Sequence, residues 1–245
     1  MNALRIKLYQ ELACYRKPFS FKAGETYPLP PPSTVKGFLH RILGAKEYIP
    51  MLLSIQGTYS GITSNLQTTY KFGNKRANRE YWAVFGGTAI NHNVFYVNLL
   101  VDVNLIIHVS AEEGILKSLE RSLKSPKEFP SLGRWEDIVR IDEVSLVNLQ
   151  EIQDEWNGIP IKIPAYVPKN FAIKNNLNGI TYQLNDYYEI EQENRRGLIY
   201  EYRKWKKIEM VYVVSGRIAT KVWIDEYGYP VFWHRNNGDT KNSLC

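Results

Sequence analysis

Four histidines are the first residues to consider for acid–base chemistry in this chain of 245 residues. None of them has lysine as an immediate sequence neighbour. His40 comes closest, since Lys36 precedes it by one turn of a predicted helix, and such a pair could move a proton beside a phosphate. A lone histidine on a basic helix face is more often structural or a phosphate contact. The spacing therefore disfavours catalysis at His40.

The acidic and sulfur-containing residues are poorly spaced for a metal centre. Asp137, Asp142 and Glu143 are spread along a predicted strand and the residues before it, which is unlike the clustered carboxylates of metal nucleases. Cys14 and Cys245 form neither a zinc pattern nor a disulfide framework. The chain also has no phosphate-binding loop or dinucleotide fingerprint. We expect no metal and no cofactor.

Basic and aromatic residues point instead to a polyanionic partner. The net charge is +6, and the chain has 17 Tyr, 6 Trp and 9 Phe, many of them beside Lys or Arg. Cations pair with phosphates while aromatic rings stack on bases. The densest such run, TTYKFGNKRANREYWAVF, supplies the candidates Tyr70, Lys71, Phe72, Lys75, Arg76 and Arg79. The alternative is that the aromatic residues pack two arms of a hairpin together, and this alternative is favoured for Trp82.

A second basic group lies on the first predicted helix, in the stretch YPLPPPSTVKGFLHRILGA. The pattern predicts a helix over about 34–43, with Ser33 as its N-cap and Gly44 ending it. An apolar arc would face a sheet, leaving Lys36, Gly37, His40 and Arg41 on the opposite side. The helix start and this basic face could seat a phosphate, or they could form an ordinary solvated surface.

The elements that must position these residues follow the order β-α-β-β-α-β. Leu4, Ile6 and Leu8 alternate as a first strand, and further strands are predicted at 52–60, 95–109 and 138–147. The second helix is predicted to start at Ser110, through a capping box with Glu113. This is the α+β, ferredoxin-like (RRM-type) arrangement, in which the helices pack on one sheet face. Its other face could be left available for a ligand.

Two regions extend this plan. The connection at about 61–94 is far longer than a plain hairpin needs and has the composition of a projecting arm. After about residue 150 the pattern changes, so we expect a ferredoxin-like domain at 1–150 and a small β-rich C-terminal subdomain at 151–245. Three or four short strands are predicted there, with turns at 215–216 and 227–228. The basic and aromatic residues at 195–207 could equally contact RNA or form a solvated surface or a protein contact.

Three stretches in this order resemble the fifth family of CRISPR-associated proteins: the helix stretch above, SLGRWEDIVRIDEV at 131–144, and VWIDEYGYPVFW at 222–233. That family belongs to the repeat-associated mysterious proteins, and the likeness is to its type I-B branch. The resemblance implies an antiviral-defence role as a subunit of Cascade, the RNA-guided surveillance complex. Its partners would be the 5′ handle of the crRNA, the backbone filament subunit, the large subunit and, indirectly, target DNA.

The resemblance also implies roles for particular residues. The insertion at 61–94 would be the hairpin thumb over the guide, with Tyr70, Phe72 and Trp82 as candidate wedges. Gly133 and Arg134 of SLGRW would form an RNA-contacting loop, although the longer glycine-rich loop of other members is missing. On the first helix, Ser33, Lys36 and Gly37 would face the handle. His40 and Arg41 would contact RNA only if it wraps past the first turn.

The family includes one branch of enzymes. In type I-C systems its members cut pre-crRNA without a metal, through a set that resembles a tyrosine with an adjacent Lys-His pair, and this chain lacks that pair. We expect a non-catalytic RNA-binding subunit; the alternative is a metal-independent endoribonuclease. The chain has no run of about 20 apolar residues for a membrane helix, and two cysteines favour a reducing cytoplasm.

Overall fold

The computed structural model describes residues 1–18, 20, 23–74, 83–85, 88–195 and 198–234. The helices are α1 (Pro32–Leu43), α2 (Glu113–Lys124) and α3 (Lys169–Lys174). The strands are β1 (Asn2–Ala13), β2 (Ala23–Gly24), β3 (Leu52–Thr58), β4 (Gly61–Asn74), β5 (Ala83–Phe85), β6 (Thr88–Ser110), β7 (Arg140–Asn148), β8 (Gln150–Ile152), β9 (Ile159–Pro160), β10 (Ala165–Pro168), β11 (Ile180–Arg195), β12 (Leu198–Val213), β13 (Arg217–Ile218), β14 (Val222–Ile224) and β15 (Pro230–Val231).

The N-terminal half forms an antiparallel sheet in the order β7-β1-β6-β3. Leu4, Ile6 and Leu8 of β1 alternate toward one face and are buried, as their period of two predicts. Helices α1 and α2 cover that face, so Leu39 and Leu119 join the same apolar cluster. The result is a sheet-rich α+β protein in which α1 and α2 pack against one side of the sheet.

Both predicted helices begin elsewhere than expected. α1 starts at Pro32 with Pro31 as its N-cap and no side-chain capping bond, so Ser33 as N-cap was wrong. Proline suits the first helical position, because its fixed φ is helical and its missing N–H is not needed there. α2 starts at Glu113, and Ser110 is the last residue of β6, so the capping box was also wrong. Gly44 ends α1 in the left-handed conformation, as predicted.

A long hairpin leaves the sheet where the insertion was predicted. β4 pairs with the first part of β6 from Gly61↔Val101 to Asn74↔Thr88. β3 pairs with the same edge of β6 further along, from Leu52↔Ser110 to Thr58↔Asn104. One strand, β6, is therefore both a central strand of the sheet and one arm of the hairpin.

The C-terminal half extends this sheet. β10 pairs with β3 and with β12, and β12 pairs along its whole length with β11. The prediction of short strands after residue 198 was wrong for β12, which runs unbroken from Leu198 to Val213. A second apolar cluster forms from residues after 158. The division into domains at residue 150 stays a prediction.

The sheet face opposite the helices is covered. Residues 222–234, here called the covering segment, lie across it: the Phe232 N–H donates to Ser54 Oγ, and Gln56 Nε2 donates to the Pro230 carbonyl. The even positions of β6 near its end, such as Ile106 and His108, are consequently buried too. The expectation that the sheet face opposite the helices could be left for a ligand is therefore wrong for the last residues of β6. That part of the sheet is not available to a ligand.

Candidate nucleic-acid interface

The proline run before α1 lies inside the protein rather than on its surface. Residues 27–32 are buried, and Tyr166 donates its hydroxyl to the Leu29 carbonyl. The N–H groups of Thr34 and Val35 both donate to the Pro31 carbonyl, and Pro32 has no N–H. These bonds leave only the Ser33 N–H of the first turn to meet a phosphate. The helix start is thus a much poorer anion seat than its sequence predicts.

Lys36 is buried and paired. Its Nζ lies 2.6 Å from Asp186 Oδ1 on β11, with both side chains less than a tenth exposed. The ammonium also lies over the rings of Tyr48 and Tyr187, which stack on each other 5.1 Å apart. The lysine expected on the outer face of α1 therefore ties α1 to β11, with its charge already neutralised by a carboxylate.

His40 has both ring nitrogens engaged. Nδ1 lies 2.7 Å from the Lys36 carbonyl and so donates to it, while Nε2 accepts the Ile49 N–H at 2.8 Å. This arrangement is the neutral tautomer with its proton on Nδ1. The ring thereby fixes the chain that follows α1.

Gly37 and Arg41 lie nearer the surface of α1. A Cβ on Gly37 would meet nothing within 4 Å, so there is open space for a ligand or a side chain. Arg41 is exposed and pairs with Glu128 at 2.8 Å. It borders a groove of about 500 Å³ between the end of α1 and residues 127–131. Arg41 is therefore the predicted α1 cation that solvent reaches.

The SLGRW loop is a compact turn organised by one buried carboxylate. Asp137 accepts the N–H groups of Cys14 and Arg134, and it also pairs with the Arg134 guanidinium at 2.7 Å. Gly133 has φ of +110°, and a Cβ there would lie 2.8 Å from Asp137 Oδ2. The glycine is thus required by backbone conformation and space. Arg134 is also paired with Glu136, so two carboxylates already surround its charge.

The hairpin places its predicted residues on two different faces. Tyr70 and Phe72 point to the same side of β4 and are exposed, as are Leu66 and Tyr96 on that face. Lys71 points to the opposite side and is also exposed. Lys75, Arg76 and Arg79 lie outside the described residues, as does Trp82. The described part of the hairpin therefore offers aromatic rings on one face and a cation on the other.

Several of these features are neighbours. The groove beside Arg41 ends at Ser131, two residues before Gly133. Cys14, which donates to Asp137, packs against Val97 and Leu99 at the base of the hairpin. The C-terminal end of α1, the SLGRW loop and the hairpin base therefore follow one another across the protein.

Sequence analysis missed the polar centre beneath the covering segment. Asp225 Oδ2 accepts from His108 Nε2 and forms an ion pair with Arg5 Nε, both at 3.1 Å, and all three side chains are almost fully buried. Burial lowers the pKa of His108. Although burial of Asp225 acts in the other direction, hydrogen bonds from His108 and the Tyr229 N–H hold the pKa of this carboxyl below its usual value. Two features of the sequence could have indicated this polar centre: the unusual arginine in the first strand and the VWIDEYGYPVFW motif.

The described residues contain neither a membrane helix nor a grouped metal site. None of the helices in this part of the chain is long and apolar enough to cross a membrane. Among the same residues, no three His, Cys, Asp or Glu side chains are placed to hold a metal ion.

Comparison with known proteins gives one family. A family model described as "CRISPR-associated protein (Cas_Cas5)" matches residues 3–210. No curated protein matches. A chain of a "CRISPR RNA-guided surveillance complex" is 13% identical over 88% of this chain and 90% of that one, with a TM-score of 0.54, which shows a shared fold. A CRISPR protein from Archaeoglobus fulgidus is 12% identical over 96% and 100%, with a TM-score of 0.43, too low to establish a common fold.

Proposed function

Since the chain belongs to the Cas5 family of CRISPR-associated proteins, we propose that it is a non-catalytic subunit of a type I CRISPR Cascade complex. In this proposal it binds and caps the 5′ handle of the crRNA and helps to assemble the backbone filament and the large subunit. The observation that carries the proposal is the family match over residues 3–210, together with a long hairpin that presents exposed aromatic rings. The subtype we infer is I-B.

The topology supports the finer assignment. The order β7-β1-β6-β3, with α1 and α2 as the crossing helices, is what a ferredoxin-like domain requires. The β4–β6 hairpin lies between its second and third strands, so we assign it to the family's thumb. The fold shared with a chain of a surveillance complex is consistent with membership of such an assembly.

The hairpin then carries most of the RNA contact. Tyr70 and Phe72 would stack on or displace a base at the junction of handle and spacer, since aromatic rings bind bases of any sequence. Lys71, Lys75, Arg76 and Arg79 would meet phosphates. We place Lys36 and Arg134 among the supporting residues, because their charges are already paired within the protein.

The first prediction concerns the hairpin cations. Replacing Lys71, Lys75, Arg76 and Arg79 together with Ala should weaken handle-RNA binding and flatten its salt dependence. Each lost contact with a single-stranded phosphate should reduce the slope of log K against log salt by about 0.7. Affinities measured by fluorescence anisotropy at salt concentrations from about 50 to about 300 mM would give both the affinity and its salt slope.

The matched control removes four cations from the other hairpin, Arg203, Lys204, Lys206 and Lys207, and should leave the slope unchanged. A four-alanine variant with the wild-type slope would show that the thumb does not touch the RNA backbone. If the wild-type chain has no salt-dependent affinity while the complex still assembles on its guide, the chain is a structural cap instead.

The second prediction concerns catalysis. We expect no discrete cut when the chain is incubated with labelled repeat RNA in EDTA, because both His40 nitrogens are engaged and Lys36 is buried in an ion pair. Denaturing gel electrophoresis would detect products. A specific cut that His40→Ala abolishes would overturn the proposal and establish the metal-independent endoribonuclease.

A further inference from the structure

The β11–β12 hairpin projects from the body of the protein without a use in the function proposed so far. Its outer part, residues 187–194 and 198–206, is here called the distal arm. Eight residue pairs from Tyr187↔Lys206 to Asn194↔Ile199 give it a length of about 27 Å. β12 pairs with β10 only at residues 210–213, so neither strand of the distal arm has another strand beside it in the described structure. A two-stranded ribbon of this kind is marginally stable alone in water.

One face of the distal arm carries four exposed apolar side chains among the polar residues Gln192, Asn194, Glu201 and Arg203. Strand pairing places Tyr188 opposite Trp205, Ile190 opposite Arg203, and Asn194 opposite Ile199. The four large apolar side chains are 39–67% exposed: Tyr188, Ile190, Ile199 and Trp205. Exposed apolar surface of this extent on a projecting element marks an interaction site. The two isoleucines are the most exposed of the four.

The other face differs in character. It continues the sheet face that carries the helices, because Lys206, Lys204 and Tyr202 follow Ile208 at intervals of two. Its lysines are bound within the ribbon: Lys204 pairs with Glu191 at 2.7 Å, and Lys206 pairs with Glu189 at 3.0 Å. The ion pairs occupy the part of this face nearer the body, while Leu198, Tyr200 and Tyr202 are exposed toward the tip.

The charges of the distal arm do not suit a polyphosphate. Through residues 187–206 the charges are nearly balanced, with four glutamates (Glu189, Glu191, Glu193 and Glu201) and five cations (Arg195, Arg196, Arg203, Lys204 and Lys206). On the apolar face the single cation, Arg203, lies over the Tyr188 ring at 4.6 Å. Nucleic-acid sites combine free cations with flat rings, whereas exposed isoleucines are suited to an apolar protein surface. On this face Arg203 is engaged by the Tyr188 ring and Glu201 accepts from Gln192 Nε2, so its exposed apolar side chains, rather than free cations, favour a protein as the occupant.

We propose that the apolar face of the distal arm docks onto another protein subunit of the same assembly, against an apolar patch with polar surroundings. The proposal rests on the proposed function for the existence of that assembly. Tyr188 and Trp205 would anchor the contact, since aromatic residues dominate interface energetics. Ile190 and Ile199 would extend it toward the tip, and the mixed charges of the opposite face would stay in solvent.

The test compares two double variants on the same ribbon. Ile190→Thr/Ile199→Thr removes apolar surface from the docking face and keeps a residue that suits strands. Leu198→Thr/Tyr200→Thr removes comparable exposed surface from the opposite face and is the matched control. Each purified variant is titrated onto the purified remainder of its complex, with guide RNA bound, by biolayer interferometry. Handle-RNA affinity of each isolated chain is measured separately by fluorescence anisotropy.

We expect the isoleucine variant to bind the remainder of the complex about tenfold or more weakly, because it loses both apolar side chains that extend the contact toward the tip. The control should stay within about twofold, and RNA affinity should be unchanged for both. Equal effects of the two variants, or none from the first, would overturn the docking face. Loss of RNA affinity in the isoleucine variant would make RNA the occupant, and a wild-type dimer that this variant dissociates would make it a second copy; either result overturns the proposal.

The two proposals fail separately. If the wild-type chain joins the complex through the isoleucine face but never binds handle RNA, the handle-binding function is wrong and the docking face stands. If handle RNA binds and the isoleucine variant assembles normally, the reverse holds. Circular dichroism melts confirm that each variant is folded, since all four substituted side chains lie outside the core.

Discussion

Lys36→Met is expected to lower the free energy of unfolding by about 3–5 kcal/mol, because it leaves the Asp186 carboxylate buried without its ammonium partner. Asp186→Leu should cost a similar amount for the converse reason. The double variant Lys36→Met/Asp186→Leu should lie within about 1–2 kcal/mol of the wild type, since replacing both partners of a buried pair with apolar residues is often neutral. Urea unfolding followed by tryptophan fluorescence gives all three values.

The matched control is Lys117→Met, which breaks an exposed ion pair with Glu113 on α2. Exposed helical pairs of this spacing are worth about 0.3–0.5 kcal/mol, so the control should barely shift the unfolding midpoint. A Lys36→Met variant as stable as this control would show that the pair is not a structural tie between α1 and β11.

The double variant also tests the predicted RNA contact at Lys36. It remains folded but has lost the lysine, so its handle-RNA affinity and salt slope report that side chain alone. We expect both to match the wild type, because the ammonium is buried against Asp186. A slope reduced by about 0.7 would instead restore Lys36 to the phosphate contacts.

Acid should destabilise the protein through His234, whose pKa is lowered to about 3 by burial and by the nearby Lys36 charge. The unfolded chain binds a proton at this residue near pH 6.5, whereas the folded chain does not. Stability is therefore complete above about pH 6.5 and falls as the pH drops toward 3. Between pH 7.5 and 5.0 the loss from this one residue is about 2 kcal/mol. Burial of His108 acts in the same direction.

His234→Leu should remove that contribution. Urea unfolding at several values between pH 7.5 and 5.0 should show a pH dependence shallower by up to one proton than that of the wild type. His92→Leu, on the exposed side of the β4–β6 hairpin, is the control and should retain the wild-type dependence. An unchanged slope in His234→Leu would mean that His234 is protonated in the folded protein.

Much of the N-terminal half could be predicted because its patterns are local. The alternation of Leu4, Ile6 and Leu8 and the apolar stripe of α2 depend on nothing beyond their own segments. The position of the long hairpin also followed from chain length alone. The start of α1 was missed because serine was preferred to proline at the first turn, although proline satisfies the same backbone requirement without a side-chain bond.

The rest of the site depended on distant residues. Nothing near Lys36 in the sequence indicates that Asp186, 150 positions later, will neutralise it. Likewise, the alternation in their strands predicts that His108 and Arg5 lie at the surface. In the structure, the covering segment places Asp225 over them. The sequence pattern shows which positions share a face, but only the fold shows whether a second layer lies upon it. β11 was missed because its polar and charged residues hide the apolar alternation.

Strand β6 makes the β4–β6 hairpin mechanically continuous with the body. From Leu100 onward β6 is held between β1 and β3. Before that residue it runs out from the sheet as one arm of the hairpin, with the short strand β2 beside it near Tyr96. Residues 88–99 span about 40 Å, so a tilt of about 5° at the anchored end would move the tip by about 3.5 Å. A small rotation of the body is thus converted into a larger displacement of the hairpin tip. In the proposed function, a small difference in how the body contacts its neighbouring subunits would move the tip by about the spacing of one base along the guide.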